Sequence, residues 1–242
     1  LVTGVQTCAL PILLNGGSTT ITTANDGSEG LESKTSVYIE GGEHYLRCYD
    51  DCINSSGKIY FDGGVTVCHS TGNDAVDSNS GVSGAITIGD GVIFAYTSNG
   101  DPEEGFDCDD NSLIEITGSG VAISAGGIQG GGGGFVGQGS SSSTTLSTAS
   151  QGYSFCTTSV SYSSNNYYTL SNASGTNIVT FSFEKDVSSN LSLFTSPEMT
   201  KGSTYYLKSS STAPSDALTS FHGLYLGSSL SGTTSVTSFS AK

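Results

Sequence analysis

The chain has 242 residues, only 12% of them charged, and a formal net charge of −15 from 22 Asp and Glu against 7 Lys and Arg. That balance argues against a nucleic-acid partner, whose phosphates need cations, and no run is long and apolar enough to span a membrane. It suits metal cations, or an acidic polymer bridged by them, and on composition alone the wealth of Gly, Ser and Thr without Trp leads us to expect an exported bacterial protein, secreted or held at the cell surface.

In chain order, residues 1–13 are expected to be an artefact. Val2 to Ile12 reads VTGVQTCALPI, the forward translation of a common short-read sequencing adapter. Such a segment is excluded from fold reasoning, and Cys8 goes with it. The remainder is expected to be a C-terminal fragment of metagenomic origin whose first structural repeat has lost its cap.

Residues 14–128 carry a repeat. Tyr49-Asp50-Asp51-Cys52-Ile53-Asn54 recurs as Asn73-Asp74-Ala75-Val76-Asp77 and Glu103-Glu104-Gly105-Phe106-Asp107, with a weaker copy at Ser28-Glu29-Gly30-Leu31-Glu32. The second acidic position steps by 22, 23 and 30 residues through Glu29, Asp51, Asp74 and Glu104. One acidic turn per unit at a period in the low twenties marks a β-solenoid. Each turn leads into a strand of period-two alternation: Val37-Tyr38-Ile39, Ile59-Tyr60-Phe61, Ile86-Thr87-Ile88 and Ile114-Glu115-Ile116. Stacked in register, Val37, Ile59, Ile86 and Ile114 form one inward ladder and Ile39, Phe61, Ile88 and Ile116 a second, leaving Tyr38, Tyr60, Thr87 and Glu115 outside. Glycine turns follow at Gly41-Gly42, Gly63-Gly64, Gly89-Asp90-Gly91 and Gly118-Ser119-Gly120, then second strands at Val65-Thr66-Val67, Val92-Ile93-Phe94 and Val121-Ala122-Ile123.

Residues 129–150 read as a Gly/Ser-rich loop or linker. Residues 151–242 lose the acidic motif but keep strand patterns, such as Asn177 to Phe183 and Thr204 to Leu207. They are expected to form a β-rich module that packs on or caps the C-terminal end of the solenoid and blunts its open edge. The fold class is therefore all-β, a parallel β-helix (solenoid) with a C-terminal capping module. Besides Cys8 the cysteines are Cys48, Cys52, Cys68, Cys108 and Cys156, an odd number without zinc-site spacing. Cys52 stands where Gly30, Ala75 and Gly105 stand in the other copies, so it is expected to be a small buried apolar residue. Cys48 and Cys68 fall in consecutive repeats, where a bridge is possible.

The acidic turns carry the chemistry. Stacked at about 4.8 Å, their carboxylates repel, each pair costing a few kcal/mol at intermediate dielectric. A hard divalent cation with six to eight oxygen ligands converts that repulsion into a site, and an all-oxygen set selects Ca2+. One ion is expected at Asp51, Asn73, Asp74 and Asp77, a second at Glu29, Asp50, Asp51 and Asn54, and a third at Asp77, Glu104 and Asp107. The plain alternative is a solvated row of Asx turns.

Segments Asn73 to Asn79, Gly84 to Ile88, Gly105-Phe106-Asp107 and Ile114 to Gly120 resemble the bacterial carbohydrate-binding β-helix family first described from a cellulolytic clostridium. Ser196-Pro197-Glu198-Met199-Thr200-Lys201-Gly202-Ser203-Thr204-Tyr205-Tyr206 and Gly223-Leu224-Tyr225-Leu226-Gly227 resemble its C-terminal motifs. The resemblance covers nearly all of residues 20–242. It implies a right-handed parallel β-helix like that of polysaccharide lyases, calcium at the Asp-rich turns, and binding to plant cell-wall polymers such as polygalacturonate and cellulose. Asn54 for Asp, Glu29 and Glu104 for Asp, and Cys52 for Gly depart from the family pattern.

The expected function is non-catalytic, calcium-dependent binding of an acidic plant cell-wall polysaccharide, with Tyr38, Tyr45, Tyr49 and Tyr60 as sugar-stacking surfaces or, equally, a solvated strand face. A structural surface solenoid or adhesin is the alternative. A pectate-lyase-like enzyme is the third reading; it needs a base near the metal, for which Lys58 and His69 are the candidates. No lipase-type or phosphate-loop motif is present.

Overall fold

The structure, a computed structural model, describes residues 10–128 and 143–242. Adapter-like residues 2–9 and linker residues 129–142 lie outside them. Among the described residues the ordered elements are strands, apart from one 3-10 turn at Asn111–Leu113.

The N-terminal half winds as a parallel solenoid of three faces. Face 1 stacks residues 12–14, 37–39, 59–61, 86–88, 114–116 and 148–149 in parallel register. The two inward ladders fall where the alternation puts them: Val37, Ile59, Ile86, Ile114 and Ile39, Phe61, Ile88, Ile116 are at most 1% exposed. Burying a side chain of this kind contributes roughly 1.5–3 kcal/mol. The chain then turns through the glycine pairs. Gly64 takes φ 72°, and a Cβ there would lie 2.5 Å from the Gly42 carbonyl oxygen, so the rungs can stack at this corner only without side chains.

Face 2 stacks residues 18–22, 43–48, 65–70, 92–97 and 121–126. Face 3 is a shorter ladder of Leu31–Ser33, Ile53–Ser55, Val76–Ser78 and Phe106–Asp107. The acidic turns connect face 2 to face 3. Strand Ile12–Thr22 pairs with Val37–Cys48 alone among the described residues, so Ile12 and Leu13, the last two of the residues set aside above, form part of the first rung.

The C-terminal half joins the solenoid in two ways. Leu191–Thr195 pairs antiparallel with the last face-2 strand, Val121–Gly126, and Tyr153–Cys156 pairs beyond it, so the face-2 sheet is continued past its parallel edge. A six-stranded antiparallel sheet, in the order 219–221, 224–226, 177–182, 167–172, 204–210 and 234–240, then joins face 2 in a second core. Tyr45, Val67, Phe94, Tyr96 and Ile123 of the solenoid share that core with Tyr168, Phe181, Phe183 and Phe194. The module is thus lateral as well as terminal. Face 2 is buried on both sides, as its near-continuous apolar runs allow.

All five described cysteines are buried and free. Cys52 is fully buried, as its small-residue position requires. The bridge between Cys48 and Cys68 is absent: the register sets Cys48 beside Ser70 and Cys68 beside Leu46.

Candidate functional site

The face-3 register aligns the acidic turns. With Leu31, Ile53, Val76 and Phe106 in one column, Glu32, Asn54, Asp77 and Asp107 occupy the next outward-facing column. Upstream, backbone bonds from Gly30 to Asp51 and from Ala75 to Glu104 continue the alignment through the turns. Asp51 Oδ1 accepts the Asp74 backbone N–H at 3.1 Å, and Asp74 Oδ1 accepts that of Glu104, so each carboxylate fastens the rung above it. Asn54 Nδ2 donates to Asp51 Oδ2 at 2.8 Å and to Glu29 Oε1 at 3.1 Å; Asn73 Nδ2 donates to Asp50 Oδ1 at 2.6 Å.

These bonds do not neutralise the corner. Burial, then the neighbouring carboxylates, raises Asp74 to about 9 and Glu29, Asp51 and Asp77 to about 7. Asp107 is raised too, chiefly by burial. Lys34, ion-paired with Glu32, offsets a little of this at Glu29; among the described residues, no basic side chain is one of the main influences on Asp51, Asp74, Asp77 or Asp107. Glu29 Oε2 is buried without a hydrogen-bond partner.

The last acidic turn brings a further carboxylate to the corner. Glu104 is 2% exposed and lines a small cavity with Phe106, Ile114, Phe155 and Leu193, inside the solenoid's last rung. Glu104 is thus as buried as Asp51, its counterpart two turns earlier. Glu103 is at the corner as well, and its pKa is raised by burial and then by Asp107 and Asp50. The preceding carboxylate in the motif was the available signal.

The chemistry of the corner fits a hard cation, because its donors are carboxylate and amide oxygens and one buried oxygen has no partner. As the side chains stand, no three His, Cys, Asp or Glu among the described residues are arranged to hold a metal ion.

The four tyrosines separate. Tyr38 and Tyr60 are half-buried on the outer side of face 1, with parallel rings 4.8 Å apart and 2° from coplanar. Tyr49 is 40% exposed beside the acidic turn. Tyr45 is not a sugar platform: it is 7% exposed, its hydroxyl donates to Glu184 and its ring stacks on His222 at 3.6 Å. The module covers it. The candidate bases also stand apart from the corner. Lys58 Nζ donates to the Ser83 carbonyl, between faces 3 and 1. His69 is fully buried at the module junction, 3.4 Å from Glu184 Oε2, and burial lowers its pKa to about 4.

Fold and site together define a class: a parallel β-solenoid with a stacked acidic corner, an outward tyrosine pair and a flanking β-module. A family model described as "Carbohydrate-binding domain-containing protein" matches residues 3–75, less than a third of the chain. That span holds Tyr38, Tyr60 and the acidic turns from Glu29 to Asp74. No curated protein and no solved structure matches the chain.

Proposed function

We propose that the chain is a non-catalytic polysaccharide-binding module of an exported protein, secreted or cell-surface, that holds Ca2+ at its acidic corner. The observation that carries this reading is a coincidence of place. The carbohydrate-binding family model covers the rungs that combine the outward, half-buried Tyr38–Tyr60 pair with the unneutralised carboxylates of Asp51 and Asp74.

Asp51, Asp74, Asp77 and Asp107 are the ligands we assign to calcium, with Glu29, Asp50, Asn54, Asn73 and Glu103 beside them. The ion would supply positive charge and draw the carboxylates together; it would also bridge to uronate carboxylates of an acidic plant cell-wall glycan such as polygalacturonate. The separation of Lys58 and His69 from the corner favours binding over lyase chemistry. The test is co-sedimentation of the full chain with insoluble polygalacturonate in calcium and in chelator. Retention in calcium alone is expected. Equal retention in both buffers sinks the calcium bridge, and loss in both by a folded chain leaves the structural-solenoid reading.

A further inference from the structure

Three thiols meet inside the solenoid at the acidic turn. Cys48 ends a face-2 strand, Cys52 follows the turn, and Cys68 lies one rung on, opposite Leu46. All three are fully buried in the solenoid core. Cys52 stands between the other two. Its Sγ donates to the Leu46 carbonyl oxygen at 3.4 Å and is within hydrogen-bonding reach of the Cys48 and Cys68 thiols. The Cys48 sulfur fills space that Gly30 leaves: a Cβ at Gly30 would lie 2.9 Å from Cys48 Sγ and 2.4 Å from the Cys52 carbonyl oxygen. Cys48 and Cys52 therefore converge on one point of the core.

The turn decides which pair can close. Only Tyr49, Asp50 and Asp51 separate Cys48 from Cys52, whereas fifteen residues separate Cys52 from Cys68. Closing the shorter segment costs less chain entropy. It also needs only the acidic turn to form, while Cys68 arrives after the chain has wound through a further rung. The next rung does not repeat the pair: Ser70 lies opposite Cys48, and Ala75 follows the turn where Cys52 does.

We infer that Cys48 and Cys52 form a disulfide when the chain folds in the presence of a disulfide oxidant, clipping the acidic turn they bracket, while Cys68 stays a thiol. One of the two thiolates attacks a small disulfide such as oxidised glutathione. The oxidant's S–S bond breaks, a mixed disulfide forms and one small thiolate leaves. The second cysteine thiolate then attacks the protein sulfur of the mixed disulfide and releases the other small thiolate. Two electrons pass to the oxidant, and the two protons lost by the cysteines end on the released thiols. The exchange belongs to folding, because it needs thiolate and access. In the folded chain contact with Cys52 and then burial push Cys48 up, burial pushes Cys52 well up, and both are shut off from solvent, so a link once made persists. The clip joins the end of face 2 to the start of face 3 around Asp51, which fastens the rung of Asp74. It stands whatever the corner binds.

Cleavage by trypsin after Arg47 and Lys58 makes the test direct, because residues 48–58 contain these two cysteines and no other. The full chain is refolded from denaturant in reduced and oxidised glutathione. Free thiols are blocked in denaturant with N-ethylmaleimide, and the tryptic peptides are weighed without reduction. The folded fraction should give this peptide unlabelled and two hydrogens lighter than the dithiol, with maleimide on Cys68. It should melt about 4 °C or more above the same chain refolded in reductant. Cys52→Ala puts at this position the residue type of Ala75 one rung on, so it should fold; it should carry maleimide on Cys48 and melt alike after both treatments. Cys68→Ala should keep the unlabelled peptide. Maleimide on both cysteines of the wild-type peptide, a link from Cys52 to Cys68, or equal melting of the wild type after both treatments overturns the pair.

Discussion

Faces 1 and 2 are built from the same rungs and meet opposite fates. On face 1 the outer side stays open, and Tyr38 and Tyr60 stack on each other at the surface. On face 2 the outer side is roofed by the C-terminal sheet, and Tyr45 and Tyr96 are 7% and 0% exposed. An outward tyrosine on a solenoid thus has no fixed role. What lies over it decides whether it offers a ring to a ligand or anchors a neighbouring module.

The largest expected effect lies in that contrast. Phe94 is fully buried in the face-2 junction and touches Tyr96, Phe181 and Phe183 ring to ring. Phe94→Ala should cost about 3–5 kcal/mol in denaturant unfolding, and Tyr38→Ala no more than about 1 kcal/mol. Equal costs would mean that the two faces are not differently loaded.

Next in size is calcium. A ligand at a hundred times its Kd adds about 2.7 kcal/mol, so saturating calcium should raise Tm clearly in the wild type and little in a variant combining Asp51→Asn and Asp77→Asn. A shift that survives both substitutions places the ion elsewhere.

The two regions also respond to pH with opposite sign. In chelator, burial and neighbouring carboxylates raise Asp74 to about 9 and Asp51 and Asp77 to about 7, from 3.8. The folded chain keeps protons that the unfolded chain has released, so this contribution is fully present below pH 3.8 and is lost as pH rises towards 9. At the junction, burial lowers His69 from 6.5 to about 4; the unfolded chain protonates first, so that contribution is present above pH 6.5 and is lost as pH falls. Melting profiles from pH 5 to 9 in chelator should therefore show Asp74→Asn flattening the alkaline decline and His69→Gln the acid one. Profiles parallel to wild type would contradict both assignments.

The smallest effect is expected at Tyr49, whose side chain is 40% exposed. Tyr49→Ala should change stability by no more than about 0.5 kcal/mol, read in the same denaturant assay.

The ladders of face 1 were legible because alternation states which side of a strand enters the solenoid. Alternation does not state what covers the other side, and this is where Tyr45 was misplaced. A signal was present: Val92-Ile93-Phe94-Ala95-Tyr96 is apolar without alternation, the mark of a strand buried on both faces. The acidic corner was legible from spacing, because the same offsets recur in each turn. The part Glu103 takes at the corner was overlooked, although it is the first carboxylate of the same motif. Attachment through Val121–Gly126 and Leu191–Thr195 is antiparallel and long-range, and no local pattern encodes such a pairing.

The most direct test of the account is side-chain footprinting of the full chain with and without saturating polygalacturonate in calcium. The account predicts protection at Tyr60 and along the acidic turns, with Tyr167 and Tyr225 of the C-terminal sheet unchanged. Protection confined to Tyr167 and Tyr225, or absent everywhere, would contradict it.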